Sequence, residues 1–104
     1  MPDRVDALKE MLAEDPANSF ARYGLAIEYM KAGSLDAAAA EFRALLDRDP
    51  NYAAAYFHGG QTLERMGLVE EAKEMYERGI EVTTRSGDSH ARSELQAALD
   101  LLPI

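Results

Sequence analysis

His58 and His90 are the residues best suited to proton transfer or metal binding near neutral pH. Each is expected to lie in a separate helix, with no ligand-type residue paired to it at i, i+4, so a zinc site is not predicted. The glutamates Glu70, Glu71, Glu74, Glu77 and Glu81 form the densest acidic group. They fall within one helical stretch and not in a loop, so they predict a solvated outer face and no calcium site. Glu74 and Arg78 are spaced to pair at i, i+4. Serine, histidine and acidic residues show no triad spacing. Gly59-Gly60 stands alone inside a helical stretch and is not a phosphate loop. The chain has no cysteine, which removes disulfides, thiolate metal sites and cysteine nucleophiles together. No catalytic residue, cofactor or metal is therefore predicted, and the chain is read as a non-enzyme.

The overall charge narrows the partners. Asp plus Glu number 19 against 11 Lys plus Arg, a net charge of −8. Such a surface repels phosphate backbones, so nucleic acid is not an expected partner. Apolar or basic protein surfaces fit better than acidic ones. Hydrophobic residues at 47% and charged residues at 29% describe a folded chain, and 104 residues suffice for one domain over 1–104. No apolar run approaches the ~20 residues of a membrane span, and no signal peptide opens the sequence, so a cytoplasmic location is expected.

Helices must position whatever these residues do. Ala, Leu, Glu, Met, Lys and Arg dominate, and no stretch alternates like a strand. Breakers recur at Pro16, Gly33, Pro50, Gly67 and Gly87, spaced 17, 17, 17 and 20 residues apart. Segments between them suit helices of three to four turns. The first runs over 3–14, with Val5, Leu8, Met11 and Leu12 as one stripe, and Asp15-Pro16 ends it. Asn18 caps the next, Ser19 to Ala32, and Gly33 closes it in a left-handed turn. Ser34 caps Leu35 to Arg48, and Asp49-Pro50 repeats the earlier break. Tyr52 to Met66 and Val69 to Thr83 follow, with Gly67 between them. Thr84 to Gly87 reads as a polar turn. Asp88 or Ser89 caps a last helix that runs to Leu102, with Ala91, Leu95, Ala98 and Leu102 inward and Arg92, Glu94, Gln96 and Asp100 outward. Six antiparallel helices joined by short turns make an all-α fold.

The two prolines Pro16 and Pro50 stand 34 residues apart, and the chain repeats at that period. Laying Ser19–Tyr52 over Ala53–Ser86 matches Ala21 with Ala55, Gly33 with Gly67 and Ala38 with Ala72. Tyr23/Phe57, Leu35/Val69, Phe42/Tyr76 and Leu46/Ile80 keep their character. Leu25-Ala26, Tyr29, Gly33, Ala38, Phe42 and Pro50, then Tyr56, Gly60, Leu63, Gly67, Ala72 and Tyr76, resemble the tetratricopeptide repeat, a 34-residue helix–turn–helix. Arg22, Gly59, Leu45, Gly79 and Thr84 depart from that pattern. The resemblance implies a short superhelical stack: a half-repeat at 3–14, repeats at 19–52 and 53–86, and a capping helix at 88–102. Small residues such as Gly60 are expected where helices approach closely, with Gly59 less constrained.

The resemblance also implies a groove lined by the first helix of each repeat, which binds a peptide or protein segment. Ala21, Leu25, Ala26 and Tyr29 are expected to face the helix's own hairpin partner. Phe20, Tyr23, Ile27 and Met30 are then surplus, and are either exposed in the groove or covered by the N-terminal helix. Ala54, Phe57, Gln61 and Glu64, with Arg65 beside them, form the matching stripe of the next repeat, so the groove is apolar at one end and polar at the other. His58 is either a hydrogen-bonding groove residue or simply exposed. The family's carboxylate clamp needs Lys, Arg and Asn, and Tyr23, Gly24, Ile27, Phe57, His58 and Gln61 supply none of these. The expected function is a protein-binding scaffold. The alternative is a structural protein that forms a homodimer and takes no foreign peptide.

Overall fold

The computed structural model describes residues 3–103, so the outermost ends of the expected domain lie outside the described residues. Six helices follow one another: α1 (Arg4–Glu14), α2 (Ser19–Lys31), α3 (Leu35–Arg48), α4 (Ala53–Arg65), α5 (Val69–Ser86) and α6 (Ser89–Asp100). Local chemistry sets most of their ends. Asp3, Asn18 and Asp88 each accept a hydrogen bond from the backbone N–H three residues on, at 2.9–3.1 Å. Asp15 is held extended ahead of Pro16, which stops α1. Gly33 turns back at φ 81°, with the Ser34 N–H donating to the Tyr29 carbonyl at 2.9 Å. Gly67 does the same through the Leu68 N–H and the Leu63 carbonyl. The left-handed φ costs glycine little and satisfies carbonyls that α2 and α4 would otherwise leave open.

Four boundary expectations need correction. Ser34 occupies the cap position of α3, but its side chain makes no capping bond. The fourth helix begins at Ala53 and ends at Arg65, one residue inside each expected limit. The expected polar turn from Thr84 is helical as far as Ser86. Thr83, Thr84 and Ser86 fold their hydroxyls back onto the carbonyls of Gly79, Ile80 and Thr83, so their polarity is absorbed inside the helix. Thr84 stands where the earlier repeat has a proline, and α5 reaches 18 residues against 14 for α3. Finally, α6 stops at Asp100, although Leu102 beyond it is buried.

Each helix packs on the next, and α4 also touches both α2 and α6. The result is two layers, with α2, α4 and α6 side by side in one of them. Ala26, Ala38, Ala55, Ala72, Phe42, Tyr56 and Tyr76 are wholly or almost wholly buried in the main core. Gly60 lies where a methyl group would overlap the Tyr76 ring, whereas a methyl on Gly59 would meet Phe42 Cβ at 3.4 Å. The expected difference between these glycines is what the packing shows. Gly79 is as tight: a methyl there would lie 2.7 Å from Tyr56 Cβ and 2.9 Å from Leu95 Cδ1.

The α2 stripes divide differently from the expectation. Ala21 and Leu25 pack with Leu8 of α1 in a separate small cluster, Ala26 joins the main core, and Tyr29 packs against both. Beside them the bare backbone of Gly24 admits Leu8 so closely that an added methyl would lie 3.2 Å from Leu8 Cδ2. Polar staples join the layers. Arg22 pairs with Glu41 at 2.8 Å, and the Tyr56 hydroxyl donates to the Pro50 carbonyl at 2.7 Å.

Candidate protein-binding face

The α2–α4–α6 layer carries most of the side chains expected to matter. Tyr23, Ile27, Met30, Phe57, His58 and Gln61 are half-buried, Arg65 is exposed, and Phe20 is 65% exposed. Tyr23, Ile27 and Met30 are not surplus to packing, because they lie against the main core. Phe20 is not covered by α1, whose one buried residue is Leu8. Tyr23 makes an edge contact with Phe42 and lies 5.2 Å from the Tyr52 ring and 6.0 Å from His58. Phe57 meets His58 edge-on at 5.2 Å. Tyr23, Phe57 and His58 thus form one aromatic group.

Three adjoining hollows run along this face. One of about 330 Å³ joins Met30, Gln61, Glu64 and Arg65. The next, about 320 Å³, is walled by Phe57, Gln61, Glu64 and Tyr76 on one side and Glu94, Ala97, Ala98 and Leu101 on the other. A third, of the same volume, places Phe57, His58, Ala53 and Ala54 opposite Asp88, Ala91, Glu94 and Leu95. Phe57 and Glu94 border two of them, and Gln61 and Glu64 border two, so the three are neighbours on one face. Arg65 is tied down: its guanidinium donates to the Met30 carbonyl at 3.1 Å. Ile27 and Phe20 line none of these hollows.

Residues of α6 complete the face, and sequence reasoning assigned them only to capping. Leu101 is 82% exposed, beside Leu102 at 6%. That Leu101-Leu102 doublet was the available signal, since a single helical stripe cannot bury both neighbours. Glu64 lies in the hollows as its place on the groove stripe predicts, whereas Tyr76 was missed as a wall residue. The Tyr76 hydroxyl donates to Glu64 Oε2 at 2.5 Å. Burial, and then the bond and charge of Glu64, push the Tyr76 hydroxyl pKa up.

Burial lowers the His58 pKa, opposed in part by Gln61 and Glu94, and its Nδ1 is buried without a hydrogen-bond partner. Contrary to expectation, His90 does have an i, i+4 partner, since its Nε2 lies 3.3 Å from Glu94 Oε1. Both side chains are exposed on one helix, and no third ligand joins them: among the described residues no group of three potential ligands converges. Glu70, Glu71, Glu74, Glu77 and Glu81 are all exposed. The spacing of Glu74 and Arg78 does not become an ion pair. Arg78 lies over the Tyr56 ring, 5.8 Å from its centre, while Glu71 pairs with Arg43 at 3.1 Å. No helix among the described residues is long and apolar enough to cross a membrane.

Helix–turn–helix units stacked at a 34-residue period, closed by a final helix, define an all-α helical-repeat protein. The chain belongs to the tetratricopeptide repeat family, whose model matches residues 5–56 and 29–99. It is similar to a TPR repeat-containing protein of Pseudomonas aeruginosa, with 28% identity over 91% of this chain and 90% of that one. A tetratricopeptide repeat domain protein from Salinibacter ruber superposes with a TM-score of 0.80 at 37% identity, covering 86% of this chain and 90% of that chain. The TPR2B domain of yeast Sti1, solved in complex with pHsp70, has a TM-score of 0.86 over 91% of this chain and 76% of that one. At 19% identity, what it shares with this chain is the fold.

Proposed function

We propose that this chain is a non-catalytic protein-interaction module that takes a peptide or protein segment along the α2–α4–α6 face. In this reading residues 3–14 are a half-repeat, 19–52 and 53–86 are full repeats, and 88–102 cap the stack. The observation that carries the proposal is the row of three neighbouring hollows around Phe57, which two of them share. Tyr23, Met30, His58, Gln61 and Arg65 border the row or pack beside it, and Phe20 and Ile27 extend it toward α1. Related folds lend support, because the Sti1 domain was solved with a bound partner.

The preferred partner is apolar or basic. The positions that would build a carboxylate clamp hold Tyr23, Gly24, Ile27, Phe57, His58 and Gln61, none of which carries a fixed positive charge. An acidic C-terminal tail would find no counter-charge there. The cytoplasm is the location this reading favours.

Selection of random displayed peptides on the full chain tests the proposal. Binders are expected to be enriched, and to shift amide resonances along α2, α4 and α6. A chain that enriches nothing and sediments as a dimer at micromolar concentration would favour self-association instead.

A further inference from the structure

The hollow between α4 and α6 differs from the rest of the face in its charge. Its floor and walls are apolar where Phe57, Ala98 and Leu101 meet, and its two charged residues are Glu64 and Glu94. No lysine or arginine lines it. Glu64 is held in place by the Tyr76 hydroxyl through Oε2, and its Oε1 makes no hydrogen bond among the described residues. Glu94 faces the hollow from the opposite helix, with the exposed His90 beside it and His58 across the adjoining hollow. Arg65, the nearest cation along α4, is turned to the Met30 carbonyl and borders the neighbouring hollow. At about 320 Å³ the space falls at the lower end of the roughly 300–1,000 Å³ range of ligand sites. Leu101 would be unremarkable as a lone exposed leucine. Across from half-exposed Phe57 it becomes one wall of an apolar cleft with a carboxylate on each side.

We infer that this cleft seats a large apolar side chain of a partner segment whose neighbouring residues are lysine or arginine, the cations meeting Glu64 and Glu94. The inference rests on the interaction reading above and specifies which end of the face recognises what. Charge complementarity commits the occupant, since the walls carry only negative charge and the whole chain stands at −8. A carboxylate pre-positioned by Tyr76 loses little freedom when a cation arrives.

The test uses three labelled synthetic peptides that share a central leucine and differ in their flanks: lysine, serine or glutamate. Binding to the full chain is read by fluorescence anisotropy and by amide shifts. The lysine-flanked peptide should bind about tenfold or more tightly than the glutamate-flanked one, with the gap shrinking as salt rises. Glu64→Gln and Glu94→Gln should each weaken lysine-flanked binding about two- to fivefold and leave the serine-flanked peptide unchanged. Leu101→Ser, at an exposed position, should weaken all three. Equal binding of all flanks, or shifts confined to amides near Tyr23 and Ile27, would overturn the inference and leave the broader interaction reading standing. No shift anywhere on the α2–α4–α6 face with any peptide would count against both.

Discussion

Gly59 and Gly60 are chain neighbours that obey different constraints. Gly60 sits against the Tyr76 ring with no room for a methyl, while Gly59 faces Phe42 at ordinary contact distance. Replacing a mid-helix glycine by alanine gains about 0.5–1 kcal/mol where the site admits it. Gly59→Ala should therefore raise the melting temperature by a few degrees. Gly60→Ala must displace a buried ring and should lower it, at a cost of about 1–3 kcal/mol. Thermal melts followed by circular dichroism decide the ordering, and the reverse order would misplace the second repeat by one residue. This pair was legible in the sequence, because the repeat puts a small residue where helices cross. Gly79 was not, because its tight neighbours, Tyr56 and Leu95, come from two other helices that no local pattern connects to it. His58 gives a second residue-scale prediction. Burial lowers its folded-state pKa below the unfolded value of 6.5. The unfolded chain then binds the proton more readily, so this residue's contribution to stability falls as pH drops through 6.5 toward the folded pKa. An imidazole NMR titration should place the His58 midpoint below 6.5, and a midpoint at or above it would contradict the burial described.

Helix ends were readable at three of the breakers but not at Gly87, whose left-handed φ of 76° closes α5. Asp15-Pro16, Gly33 and Gly67 stop α1, α2 and α4 by steric or backbone chemistry that is local to those residues. The end of α5 was not readable, because threonine and serine favour turns until their hydroxyls find carbonyls in the preceding turn. Thr83 and Thr84 do so at 2.8 and 2.6 Å. Nor could the stripes of α2 be divided from sequence, since Ala21 and Leu25 are buried with Leu8 of α1, which meets α2 closely at Gly24, and no local pattern in α2 announces that contact. The last helix shows what stacking requires. Leu95 and Leu102 are buried at 1% and 6% exposure, and each full leucine burial stabilises by about 1.5–3 kcal/mol. A chain ending at Gly87 should lose much of its stability, against the ~5–15 kcal/mol of a whole domain, or self-associate through the bared face. Sedimentation and thermal melts read both outcomes. A truncated monomer with an unchanged melting temperature would show that α6 contributes nothing to the stack. It would also remove one wall of the candidate face.

At the scale of the molecule, the 34-residue period decides the architecture. A single hairpin cannot cover its own apolar surface, so α1 through α6 bury one another in sequence, and α2, α4 and α6 are left side by side. That arrangement turns residues far apart in the chain, Phe57 and Leu101 among them, into walls of one cleft. The sequence could place Phe57, Gln61 and Glu64 on a common helix face by periodicity. It could not supply the opposite wall, because α6 meets α5 closely where Leu95 lies against Gly79, a long-range contact that no motif in α6 announces. The central claim is that this face binds a polypeptide segment around Phe57. Its most direct test is the affinity of a selected peptide for the Phe57→Ala chain, measured beside its helical content. Removing this half-buried ring should weaken binding by more than ~1 kcal/mol, at least about fivefold, while the helices persist. Unchanged affinity would place binding elsewhere, and collapse of the helices would show Phe57 to be core and not contact.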